Sequence, residues 1–184
     1  RPRRRAPRCA RRRPAASTWA RAEDKRYLVR KEDLDATPPT RKVHPLNSNA
    51  IRLGKSVGDW TGLENMGFCV VEVEPGRDST EFHFHHFEEE CVYLLDGEAE
   101  ATVGDETFTV RAGDFLGFRA GGLPHKLHNS GKTNLKYLMV GLRLDHDVVD
   151  YPAVNKRLYV QRGLPDDLID LAHLKPVGRG VGKK

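Results

Sequence analysis

The chain has 184 residues, 31 Lys and Arg against 26 Asp and Glu, and a formal net charge of +5, which is long enough for one domain with a real core and short terminal extensions. Nine of the arginines (Arg1, Arg3, Arg4, Arg5, Arg8, Arg11, Arg12, Arg13 and Arg21) lie in the first 22 residues, which hold no acid. The rest therefore carries 22 basic against 26 acidic side chains and has no basic face for nucleic acid. Three cysteines (Cys9, Cys69 and Cys91) without a CxxC spacing exclude a disulfide framework and fit a reducing, cytoplasmic compartment, and no apolar run approaches the ~18 residues of a membrane span.

In chain order, residues 1–25 read as a disordered Arg-rich extension. It is expected to be an over-extended start rather than a polyanion-binding arm or an organellar transit peptide, because it has one Ser, one Thr and no amphipathic period. Residues 26–62 read as a short strand or turn around KRYLVRKEDLD, a Pro-containing linker, and loops from His44 to Gly62 that cap the mouth of the domain, with His44 a loop residue. Residues 63–146 form the body. Phe68 to Val73 is the first long core strand, and Pro75-Gly76 turns the chain.

Residues 83 to 90 then place three histidines and three glutamates in eight positions. On an extended strand His83 and His85 leave one face and Phe82 and Phe84 the other, so the two imidazoles can share one ion. Glu90 follows after a gap that lets the chain bend back. Beyond it Val92 and Leu94 share its face, while Cys91, Tyr93 and Leu95 take the other, as on the inner wall of a barrel. Glu98 to Val103, Thr107 to Val110 and Phe115 to Phe118 are strands separated by Gly-containing turns. In the next strand His125, Leu127 and Asn129 alternate with Lys126 and His128, so that His125 also points inward, and Leu135 to Leu144 is a further strand. Residues 147–184 read as a tail packing on the body or on a partner, with an apolar strand at Arg157 to Val160 and a helical turn within Pro165 to Leu174. Short strands at intervals of about ten residues define an all-β sandwich or barrel.

Three imidazoles and one carboxylate suit one divalent transition metal, Fe, Mn, Ni, Co or Zn, with open positions for substrate, water or dioxygen. The remaining polar residues of these stretches read more simply. His86 and His128 fall on the faces opposite the ligand set and belong at a surface or interface. Glu88 and Glu89, candidates for a general base or rim carboxylates, read first as solvated charge, and Tyr93 and Tyr137 are candidates to line the pocket, with Tyr93 on the face opposite Glu90.

Gly76, six residues, His83-x-His85, four residues, Glu90, six residues and Gly97 resemble the first motif of the cupin superfamily. Gly113, five residues, Arg119-Ala120-Gly121, His125, three residues and Asn129 resemble its second. Arg119 stands where that motif normally has Pro, and one residue more separates Gly121 from His125. The likeness spans roughly residues 43 to 165 and extends to small single-domain bacterial cupins of unassigned reaction. It implies an eight-stranded double-stranded β-helix, or jelly roll, with His83, His85, Glu90 and His125 as metal ligands and Glu90 also as a proton acceptor. It further implies an enzyme acting on a small oxygen-rich molecule, such as a dioxygenase, a sugar or sugar-phosphate isomerase, a decarboxylase or a lyase. Arg119 and Lys126 are the candidates for a substrate phosphate and Asn129 for a positioning role. The other class of reading is a non-catalytic barrel that binds a metal or small ligand as a sensor. Apolar residues on both faces of the strands imply a homodimer.

Overall fold

A computed structural model describes residues 27–175 and Val177; the Arg-rich extension and the GRGVGKK end lie outside the described residues. The first described element is a short helix, α1 (Lys31–Ala36), where a strand or turn was expected. Local chemistry explains it: the Asp33 carboxylate accepts from the Arg30 N–H at 3.2 Å, Lys31 and Asp35 pair across one turn, and Pro38 and Pro39 lie just beyond.

The strands β1 (Thr40–His44), β2 (Asn47–Lys55), β3 (Met66–Val73), β5 (Glu90–Asp96), β8 (Phe115–Phe118) and β10 (Leu135–Leu142) form a six-stranded sheet in the order β1-β2-β3-β10-β5-β8. Asn47–Lys55, expected as capping loops, is thus a nine-residue strand, followed by the short helix α2 (Val57–Thr61). The opposite wall contains β7 (Glu106–Arg111), β6 (Glu98–Val103) and β9 (His125–His128) as one ribbon. A second ribbon is made by β4 (Phe84–His85), β11 (His146–Tyr151), β12 (Lys156–Gln161) and β13 (Asp167–Asp170). The segment around β4 joins the two ribbons, because bridges link Asp78 to His128 and His83 to His125. His83 and His125 exchange both backbone hydrogen bonds, at 3.2 and 2.8 Å. β13 stands where a helical turn was expected, paired along the open edge of β12, and only Leu171–His173 makes a 3₁₀ turn. The result is the double-sheeted, antiparallel jelly roll.

Period-two alternation fills the space between the walls. Val92 and Leu94 are buried while Tyr93 and Leu95 are exposed, and Val71, Tyr137 and Leu94 lie in one row across β3, β10 and β5. Apolar burial of this kind is the main source of stability. The turn after β5 requires glycine: Gly97 has φ +84°, and a Cβ there would sit 2.9 Å from the Asn134 carbonyl oxygen. Asn129, expected to position substrate, instead staples the fold. Its fully buried amide donates to the Val73 and Thr133 carbonyls at 2.7 and 2.9 Å and accepts from the Gly131 N–H. Among the described residues no helix is long and apolar enough to cross a membrane.

Candidate metal centre

His83 lies just before β4, His125 begins β9 and Glu90 begins β5, so three segments from both walls converge at one end of a cavity of about 270 Å³. Ligand atoms of His83, Glu90 and His125 all lie within 4.8 Å of one another. His85 lines the same cavity, its ring 5.1 Å from that of His83, but falls in a second such group with Glu88 and Asp147. The two imidazoles do share a side of the chain. What draws His85 aside is Asp147 on β11, whose Oδ2 lies 2.5 Å from His85 Nδ1.

The hydrogen bonds of these rings define their tautomers. Nδ1 of His83 donates to the Glu81 carbonyl at 2.9 Å, Nδ1 of His85 to Asp147, and Nδ1 of His125 to the Leu123 carbonyl at 3.4 Å. Each assignment leaves the Nε2 lone pair unprotonated and free to bind a cation, the arrangement typical of metal-ligating histidines. His44 has the opposite arrangement: its Nδ1 accepts from the Leu46 N–H at 3.2 Å. It ends β1 rather than sitting in a loop, lines the cavity, and packs edge-on to Tyr151, ring centres 5.4 Å apart.

One atom tests whether a cation fits. His125 is 5% exposed, Phe118 from β8 stacks flat on its ring at 3.5 Å, and its Nε2 is sealed from solvent without a hydrogen-bond partner among the described residues. Glu90 Oε2 faces that nitrogen at 3.6 Å, too far for a hydrogen bond. Two lone-pair bearers face each other across that gap, a costly arrangement in a buried site unless a positive ion lies between them. The donor set fits a divalent transition metal.

At His83 and Glu90 the charge states agree with that fit. Burial, reinforced by the neighbouring His125, lowers the His83 pKa to about 3, so the ring is neutral. Burial opposes the charge on Glu90, but His125 beside it, with His83 and His85, holds its carboxyl below the usual range. Burial likewise opposes protonation of His85, yet Asp147, with Glu90 and Glu88 nearby, raises its pKa, so this ring gives up an Nε2 proton when a cation binds there. Burial raises the phenol of Tyr137 and pushes that of Tyr151 up to about 12, leaving both as neutral donors beside the cavity.

The other expected residues lie elsewhere or have partners. His86 Nε2 meets Asp150 at 3.0 Å, His128 Nδ1 meets Asp78 at 2.8 Å, and Glu88 accepts from the Leu144 N–H at 2.7 Å. Lys126 lines the cavity with its Nζ 4.0 Å from Asp78. Arg119 instead lines a more open hollow of about 580 Å³ that meets the first only at Glu90 and Phe118. Asp147, Tyr151 and Arg52 were missed as site residues. The sequence signal for Asp147 was an acid beside Val148 and Val149 in the strand segment DVVDY; for Arg52 it was a cation between Ile51 and Leu53.

Residues 69–141 match the sequence profile described as the Cupin domain. A protein of Acidithiobacillus ferrooxidans, provisionally named a sugar phosphate isomerase, has a solved structure that superposes with a TM-score of 0.80 at 40% identity, covering 83% of this chain and 97% of that one. The chain belongs to the cupin superfamily. A sugar phosphate isomerase of the cupin superfamily from Silicibacter pomeroyi shares the fold at 22% identity and a TM-score of 0.70, over 79% of this cupin and 95% of that chain. An uncharacterized protein of Methanocaldococcus jannaschii is 35% identical over 66 residues, 36% of this cupin; the match spans about half of the length of that curated relative, 52%.

Proposed function

We propose that this cupin is a metal-dependent enzyme that acts on a small, oxygen-rich molecule, of the sugar-phosphate isomerase type rather than a dioxygenase. The observation that carries the metal is the orphaned, buried Nε2 of His125 facing Glu90. What favours an isomerase is the 40% identity to the Acidithiobacillus ferrooxidans protein along nearly its whole length. His83, His85, Glu90 and His125 would hold one divalent ion, His85 through Nε2 with Asp147 behind it. Such an ion supplies Lewis-acid polarisation of a bound carbonyl or hydroxyl oxygen.

The chain's own groups divide the remaining work. Glu90, held as a carboxylate, is the group in the cavity suited to accept a proton. Tyr137 and Tyr151, held neutral, are suited to donate hydrogen bonds to substrate oxygens. The walls from Val92, Leu127 and Val149 exclude bulk water. A homodimer belongs to the same reading, supported by exposed Tyr93, Leu95 and Phe115 on β5 and β8; a monomeric mass in light scattering would remove it.

The test begins with elemental mass spectrometry of untagged protein, where about one transition-metal ion per chain is expected. Aldose–ketose interconversion of sugar phosphates is then followed for wild type and Glu90→Gln. The variant should keep its circular dichroism spectrum and lose turnover. Metal content near zero that no added ion raises would reject the metal, whereas ligand-dependent stabilisation without product would leave a binding barrel.

A further inference from the structure

Arg52 on β2 lines the cavity that holds His83, Glu90 and His125. It is half-buried, and among the described residues its guanidinium has no carboxylate within 4.0 Å. Its polar neighbours are Met139 Sδ at 3.5 Å, a weak acceptor, and the Tyr137 hydroxyl. A guanidinium has five N–H donors, and withdrawing them from water without an acceptor is costly. The other cation lining this cavity, Lys126, has Asp78 nearby.

Tyr137 and Tyr151 connect Arg52 to the metal-ligand end. Tyr137 feels both Arg52 and Glu90, and Tyr151 feels Arg52 while its ring stacks on His83, centres 5.9 Å apart. The cavity is therefore lined both by a cluster of lone pairs and by a planar cation without a carboxylate partner, with two phenols in its wall. At about 270 Å³ it is just smaller than the ~300 to 1,000 Å³ usual for ligand pockets, so the ligand is a small molecule.

We infer that Arg52 anchors an oxyanion, a phosphate or a carboxylate, carried by the small-molecule substrate, while the substrate's oxygens at its other end reach the His83, Glu90 and His125 cluster. The fork of N–H donors suits bidentate contact with either group. This inference rests on the proposed enzyme reading for the word substrate, but anion binding at Arg52 stands apart from it.

The experiment uses full-length protein stripped of metal with a chelator. Thermal stabilisation is titrated with inorganic phosphate and, separately, with acetate, against sodium chloride at matched ionic strength. At least one anion should stabilise wild type saturably, and Arg52→Gln should weaken that affinity at least about tenfold, as expected for a charge-assisted contact. Saturation by phosphate alone names a phosphoester substrate; saturation by acetate names a carboxylate. Arg52→Met, which keeps packing against Met139, serves where Arg52→Gln does not fold and should show the same loss. Metal uptake, measured on the same preparations, should be unchanged in both variants. Equal anion affinity in wild type and variants, or no stabilisation of wild type beyond chloride, overturns the inference even if metal binds. Arg52-dependent anion binding in a protein that takes up no metal upholds it and removes the metal reading alone.

Discussion

Replacing Asp147 by Asn tests how the centre is built. Asp147 is 1% exposed; its Oδ2 accepts from His85 Nδ1–H at 2.5 Å, while Oδ1 accepts from the Phe87 and Glu88 N–H groups at 3.0 and 3.4 Å. Asn can retain the contacts to the β4–β5 turn through its carbonyl, but then turns an amide donor toward the donating nitrogen of His85. The ring must change tautomer or swing away, and either outcome would remove the Nε2 lone pair from the proposed metal. Losses of this kind cost about 10- to 100-fold in metal affinity, equivalent to about 1.4 to 2.8 kcal/mol. Competition between the protein and a chelator of known zinc affinity measures it, with urea unfolding of the metal-free forms as the control for folding. If Asp147 acts on a bound metal through His85, as proposed, the double variant with His85→Gln should bind no more weakly than His85→Gln alone. An affinity within about twofold of wild type in a folded Asp147→Asn protein would refute the assignment of His85 as a ligand held by Asp147.

Two predictions concern the scaffold. Leu94→Ala, at a side chain of 0% exposure beside Tyr137 in the core cluster that includes Val71, should lower unfolding free energy by about 2 to 5 kcal/mol; a change under about 1 kcal/mol in urea titration would place Leu94 outside the core. Asp78 anchors the seam between β9 and the segment leading to β4, and although burial opposes its charge, His128, Asn47 and Lys126 hold its pKa below 3.8. A depressed carboxyl contributes stability above its unfolded pKa and loses it as pH falls through the folded value. The stability difference between wild type and Asp78→Asn should therefore be full near neutrality and shrink below about pH 4. A difference that stays constant into acid would show that Asp78 is not held ionised by these partners.

Much of the centre was readable from the chain because its first half is local. His83, His85 and Glu90 fall within eight residues, and strand periodicity alone directs Glu90, Val92 and Leu94 to one side. The jelly roll was legible for a similar reason, through short alternating strands between glycine turns. Local pattern failed at Lys31–Ala36, where one ion pair and a carboxylate cap outweigh a strand-like sequence, and at Asp167–Asp170, where an available sheet edge turns a helical pattern into a strand.

What only the tertiary structure decided is how the site is completed. Arg52, Asp147 and Tyr151 are 31, 62 and 66 residues from His83, His85 and His85 respectively by their numbers in the chain, and no periodicity relates them. Asp147 reaches His85 because β11 pairs with β4, and Arg52 reaches the cavity because β2 lies beside β3 with its cation beside Tyr137 and Met139 on β10. Sequence determined which side chains could bind a metal, since that depends on residue type and short spacing. Which of them are oriented, neutral, or supplied with an opposing charge depends on strands that meet only after folding, because hydrogen bonds and desolvation act over a few ångströms in space and carry no memory of distance along the chain.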